Sequence, residues 1–110
     1  MKKAFIVRKK YEFENIINMG KCIKNDTFVI FYNKNNANKY RFGISVGKKI
    51  GNAVTRNKYK RRIRNIIDNN KKYYQNNLDY IIILRKSGTD LDFDQFQNKF
   101  ISVISKIKEN

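Results

Sequence analysis

In a chain of 110 residues, 25 Lys and Arg against nine Asp and Glu leave a net charge of +16 and a pI near 10.1. With no His and a single Cys, imidazole general-base chemistry, His-ligated zinc, a thiol metal cluster and an internal disulfide are excluded. An apolar fraction of 41%, including seven Tyr and eight Phe, suits one folded domain with a modest core rather than a basic disordered tail.

Met1 to Lys10 is basic, but a polar segment follows it, so no secretory signal is read there and a cytoplasmic location is expected. No apolar run approaches the roughly 20 residues that cross a bilayer. A first helix is predicted from about Tyr11 to Met19, with Phe13, Ile16 and Ile17 on one face. Gly20 stands where a left-handed residue would close that helix. Cys22, lacking a His partner, reads as a small core residue rather than an unassisted nucleophile. Thr27 to Tyr32 (TFVIFY) is β-branched and aromatic and predicts a strand, with Asn33 to Asn38 as a polar hairpin loop. YRFGISV alternates strictly: Tyr40, Phe42, Ile44 and Val46 share one face, and Arg41, Gly43 and Ser45 the other. Phe28 and Phe42 are expected in the core, whereas Phe13 and Phe31 fit either a core or an exposed stacking surface.

The next segment, GKKIGNAVTRNKYKRRIRNII, carries eight Lys or Arg and no acid over Gly47 to Ile67. A helix fits from about Ala53 to Tyr74, with Tyr59, Ile63, Ile66, Ile67, Asn70 and Tyr74 toward a sheet. Arg56, Lys60 and Arg64 form an i, i+4, i+8 row on its shoulder, with Asn57 and Arg61 beside it. Arg56 lies at the stripe's edge and is expected to point across the start of the helix. Like charges at this spacing cost about 0.2–0.5 kcal/mol per pair in an isolated helix. Between Asp26 and Asp68 there are eleven Lys and Arg and no acid, so no Glu relieves the row. Lys48 and Lys49 sit in a turn between Gly47 and Gly51, where a helix N-terminus adds a favourable dipole for an anion. The spacing is not that of a triphosphate-binding loop.

Asp79 to Leu84 (DYIIIL) reads as a strand covered on both faces. The final helix starts at an Asp92–Gln95 cap pair and carries Phe93, Phe96, Phe100, Ile104 and Ile107 as a core stripe. Asp90, Asp92 and Asp94 read as turn and cap rather than as a metal site. Residues 1–110 therefore read as one α+β domain, a two-layer sandwich in the order helix, strands, basic helix, strand, helix. Concentrated charge of one sign points to a polyanion, above all nucleic acid. A membrane-surface role is disfavoured, because the apolar face of the basic helix is needed by the sheet.

RNKYKRRIR, Arg56 to Arg64, preceded by ISVGKKIGNAV, resembles the Arg-Asn-x-x-Lys-Arg-x-x-Arg signature of the bacterial ribonuclease P protein component. DYIIILRK and the order helix, Gly20, TFVIFY extend the resemblance over nearly the whole chain. It implies an accessory subunit of an endoribonuclease whose catalytic RNA removes the 5′ leader of precursor tRNA. Mg²⁺ would be held mainly by that RNA, and no protein catalytic residue is expected. The implied partners are the ribonuclease P RNA and precursor tRNA, with no membrane and no small-molecule substrate. Carried over, Lys48, Lys49, Asn52, Arg56, Asn57, Lys60, Arg61 and Arg64 contact the RNA subunit. Lys9, Phe13, Ile17 and Phe31 line a groove for the single-stranded leader, Ile17 standing where relatives commonly have Phe. The family fold also implies a left-handed β-α-β crossover around the basic helix. The alternative is a ribosomal protein or general RNA chaperone, for which the signature would be coincidental.

Overall fold

β4 (Leu78–Leu84) lies inside a four-stranded sheet of order β1-β2-β4-β3, with β1 at Lys21–Lys24, β2 at Phe28–Lys34 and β3 at Arg41–Ser45. The structure is a computed structural model that describes residues 5–108. Three helices complete it: α1 (Lys10–Met19), α2 (Ala53–Asn69) and α3 (Phe93–Ile104). β1–β2 and β2–β4 are antiparallel, whereas β3 runs parallel to β4, so α2 is the crossover of a β-α-β unit.

The near-continuous apolar run of β4 is explained by this central place. Tyr80, Ile82 and Leu84 join the main core with α2 and α3. Ile81 and Ile83 face the other way, toward Ile16 of α1. Tyr59, Ile63, Ile66 and Ile67 are the buried residues of α2, as its periodicity requires. Asn70 and Tyr74 also reach the core side, although α2 ends at Asn69 and a 3₁₀ turn spans Lys71–Tyr73. Asn70 donates to the Ile66 carbonyl (2.8 Å), and the Tyr74 hydroxyl donates to the Ile67 carbonyl (2.8 Å), which ties the turn to the helix end. α3 opens with the expected reciprocal cap: Asp92 accepts from the Gln95 N–H (2.8 Å), and Gln95 accepts from the Asp92 N–H (3.2 Å). Phe96, Phe100, Ile104 and Ile107 are buried, but Phe93, in the first turn, stays 40% exposed and Val103 is buried as well.

Other expectations are corrected. Gly20 is extended (φ −85°, ψ 170°), not left-handed. A Cβ there would crowd the Ile16 carbonyl and stand 2.6 Å from the Tyr32 carbonyl oxygen, so close approach rather than handedness calls for glycine. Asn33 to Asn38 is no hairpin loop, because β4 lies between β2 and β3. The hairpin is β1–β2, turned by Asn25, whose side chain accepts from the N–H groups of Thr27 (2.9 Å) and Phe28 (2.8 Å). Cys22 is not core: it is exposed on β1, a cationic four-residue strand too short to show in the sequence pattern.

Candidate nucleic-acid interface

Asn52 caps α2, its side-chain oxygen accepting from the Thr55 N–H (2.9 Å). Just before it, Gly51 has φ +156°, and a Cβ there would lie 3.0 Å from Thr55, so the turn into the helix requires glycine. Lys48 and Lys49 begin the 3₁₀ turn Lys48–Ile50 and are exposed, while Ile50 anchors it in the core. Along α2, Asn57, Arg61 and Arg64 are exposed, and Arg56 and Lys60 are half-buried. The Arg56 Nε is fully enclosed and has no hydrogen-bond partner, in keeping with a side chain laid against the protein rather than projected outward. Arg62 occupies the other shoulder, 5.4 Å from the Tyr59 ring centre. The Tyr59 hydroxyl donates to the Thr89 carbonyl and pins the buried side of the helix.

On the opposite face of the sheet, α1 leaves part of the surface open. Register places Phe31 opposite Ile81, Val29 opposite Ile83 and Gly43 beside Ile81. Phe13, Ile17, Phe31 and Ile83 are half-buried around Val7, Ile16 and Ile81, so they form one partly exposed apolar cluster. Phe13, Ile17 and Phe31, read from the sequence as groove positions, thus come together. Lys9, the residue before α1, is exposed; its carbonyl accepts from the Phe13 N–H (3.2 Å), and its ammonium lies 5.7 Å from the Tyr11 ring. Tyr11, 65% exposed, is an aromatic that helical patterning offered no reason to single out.

The two surfaces meet. A cavity of about 220 Å³ is lined by Ile6, Val7, Phe13, Phe42, Ile44, Lys60 and Arg64, so groove aromatic and basic row share one wall. The meeting is not legible in the sequence, because α1 and α2 lie on opposite faces of the sheet and come together at the β3 edge, where Ile6 and Val7 run beside Phe42.

A partly buried polar cluster also lies beyond the reach of sequence patterning. Arg41 Nε and Nη2 donate to the two Asp79 carboxylate oxygens (2.8 and 2.7 Å), and Nη1 donates to Glu12 (2.9 Å). Asn35 adds a bond to Asp79 (2.7 Å). Hydrogen bonding to Asp79 holds the Arg41 guanidinium well above its ordinary value despite burial, and Glu12 adds to the effect. The only hint was the phase of Arg41, on the Gly43 face of β3, and Asp79 opening an apolar strand.

Glu12 and Asp79 are committed to Arg41, and Asp92 to the α3 cap. Among the described residues no group of three or more His, Cys, Asp or Glu could hold a metal ion. Likewise, no helix among them is long and apolar enough to cross a membrane.

The model of the family described as Ribonuclease P matches residues 1–108. The ribonuclease P protein component of Mycoplasma capricolum is 45% identical over 109 residues, spanning 98% of this chain and 100% of that relative. The Streptococcus pneumoniae component is 39% identical, covering 98% and 88% respectively. Among solved structures, the RNase P protein of Thermotoga maritima superposes with a TM-score of 0.87 at 32% identity, covering 94% of this chain and 97% of that one. That of Staphylococcus aureus gives 0.86 at 37%, covering 93% and 94%. None of these is a ribosomal protein or RNA chaperone, and that alternative is left without support.

Proposed function

The chain belongs to the ribonuclease P protein family, and from that premise we propose how it acts as the protein subunit of this tRNA-processing nuclease. α2 and its preceding turn hold the catalytic RNA through Lys48, Lys49, Asn52, Arg56, Asn57, Lys60, Arg61 and Arg64. The groove of Phe13, Ile17 and Phe31, with Lys9 at the helix start, holds the single-stranded 5′ leader of precursor tRNA. Cleavage is carried by the RNA, with Mg²⁺ held mainly there, and the complex works in the cytoplasm.

The observation that carries this reading is the shared cavity, where Phe13 meets Lys60 and Arg64. An acid-free cationic row neutralises closely spaced phosphates, and arginine forks add bidentate contacts. Half-exposed aromatics give unpaired bases a stacking surface, at about 1–3 kcal/mol per base. A strand passing from one to the other would be held by both, and the mature product, lacking the leader, would lose the groove part. The protein thus favours substrate over product by binding alone.

Reconstitution tests it. Adding the protein to a ribonuclease P RNA at low Mg²⁺ should restore 5′ maturation of precursor tRNA. If the protein alone cleaves as well as the mixture, the accessory role is wrong.

A further inference from the structure

α1 rests on the sheet through Ile16, its one buried residue, and the half-buried Phe13 and Ile17, and its N-terminus has no side-chain cap. Its two shoulders differ: Phe13 and Ile17 turn to the groove, whereas Glu12 ends on Arg41. Arg41 is itself fixed from the sheet side by two bonds to Asp79, whose side chain is only 7% exposed, and Asn35 steadies Asp79 in turn. The remaining guanidinium nitrogen, Nη1, is what reaches α1. At 22% and 24% exposure, the Arg41–Glu12 pair is screened far less than a surface ion pair. Two carboxylates against one guanidinium leave one surplus negative charge, so the cluster is a poor phosphate site within a chain of +16. Its geometry suits a tether.

We propose that Arg41 is a positioning residue for leader recognition: by holding Glu12 it sets the height and rotation of α1, and with them the gap between Phe13 and Phe31. The proposal rests on reading this groove as the leader site. Arg41 touches no RNA in this scheme; it acts through the adjacent residues Glu12 and Phe13. Groove residues one turn apart on α1 then move together, so a small rotation of the helix changes the whole opening.

The test uses holoenzyme reconstituted with ribonuclease P RNA and compares affinity for precursor tRNA with affinity for mature tRNA. Glu12→Ala should lower the precursor-to-mature affinity ratio about five- to tenfold, the range of one partly buried charge-assisted bond. Affinity for the RNA subunit and for mature tRNA should stay unchanged. Glu12→Gln keeps an acceptor for Arg41 on the same stem and should recover most of the ratio. A merely structural role would weaken all three affinities together. If Glu12→Ala does not fold, Glu12→Asp, one methylene shorter with its charge intact, must lower the same ratio. Phe13→Ala tests the groove itself, apart from the tether. A ratio lowered by Phe13→Ala but untouched by the Glu12 variants overturns the proposal; a ratio untouched by Phe13→Ala overturns the groove reading and the proposal with it.

Discussion

Phe13 lies so close over Gly43 that a Cβ built on the glycine would stand 2.5 Å from Cζ of Phe13 and 2.7 Å from Cδ1 of Ile81. The bare Cα of the strand is what lets the ring of α1 settle on the sheet. Gly43→Ala therefore lifts the ring out of place, with an overpacking cost of about 1–3 kcal/mol in urea unfolding. Precursor binding should weaken relative to mature tRNA, while RNA-subunit affinity, which lies with α2 on the other face, holds. Native discrimination in a folded Gly43→Ala protein would mean that the ring's seat is immaterial to the groove.

The basic row makes a separable prediction. Arg64 is exposed, and replacing it by Ala should weaken RNA-subunit binding and reduce the slope of log affinity against log salt by about 0.7–0.9. Arg56 differs because its Nε is enclosed without a partner, a group that costs stability where it stands. Arg56→Met keeps the apolar stem and removes that N–H. Its thermal midpoint should not fall, yet RNA affinity should drop as for Arg64→Ala. A parallel loss of stability and affinity would instead make Arg56 an ordinary packing residue.

What the sequence made legible follows the range of the interactions involved. The α2 stripe, the Asp92–Gln95 cap and the two-faced burial of β4 are local periodicities, and each appears where patterning put it. Strand order is non-local: nothing in NKNNAN says that β4 will enter between β2 and β3. Even so, a strand apolar on both faces has to be central, and that inference was available from DYIIIL. β1 escaped because four residues, two of them Lys, carry no usable alternation. The Arg41–Asp79–Glu12 cluster joins three elements 29 and 38 residues apart in sequence, so only the assembled register reveals it.

Ile17 is half-buried beside Phe31 and Phe13, and an aliphatic side chain there can pack on a base but offers no ring to stack. Ile17→Phe should therefore tighten leader binding by up to about 1–3 kcal/mol, the range of one base–aromatic stack. Mature tRNA should bind as before. Leader-length series should place the gain at one nucleotide: leaders too short to reach Ile17 must show none. A uniform gain at every length would point to a change in α1 packing and remove the stacking explanation.

Tyr74 gives a prediction in pH. Its ring meets Phe42 edge-on (4.6 Å) and its hydroxyl is bonded to Ile67, and burial, followed by the neighbouring Tyr40, Tyr80 and Asp68, pushes the phenol far above its ordinary value. Burial raises Tyr80 likewise. An unfolded phenol ionises near pH ~10, so above that point the unfolded chain holds fewer protons than the native one. The stabilisation is complete below about pH 10 and drains away as pH climbs toward the folded value, at up to about 1.4 kcal/mol per pH unit for each group. Deprotonating lysines relieves repulsion over the same range and works the other way, so the wild-type slope alone is ambiguous. The difference between wild type and Tyr74→Phe cancels that background. At neutral pH the variant should lose about 1 kcal/mol with the hydrogen bond to Ile67. In urea unfolding from about pH 8 to about pH 11.5 its stability should then fall less steeply than wild type, because one phenol no longer couples folding to the proton. Parallel curves would show that Tyr74 ionises as easily in the fold as outside it.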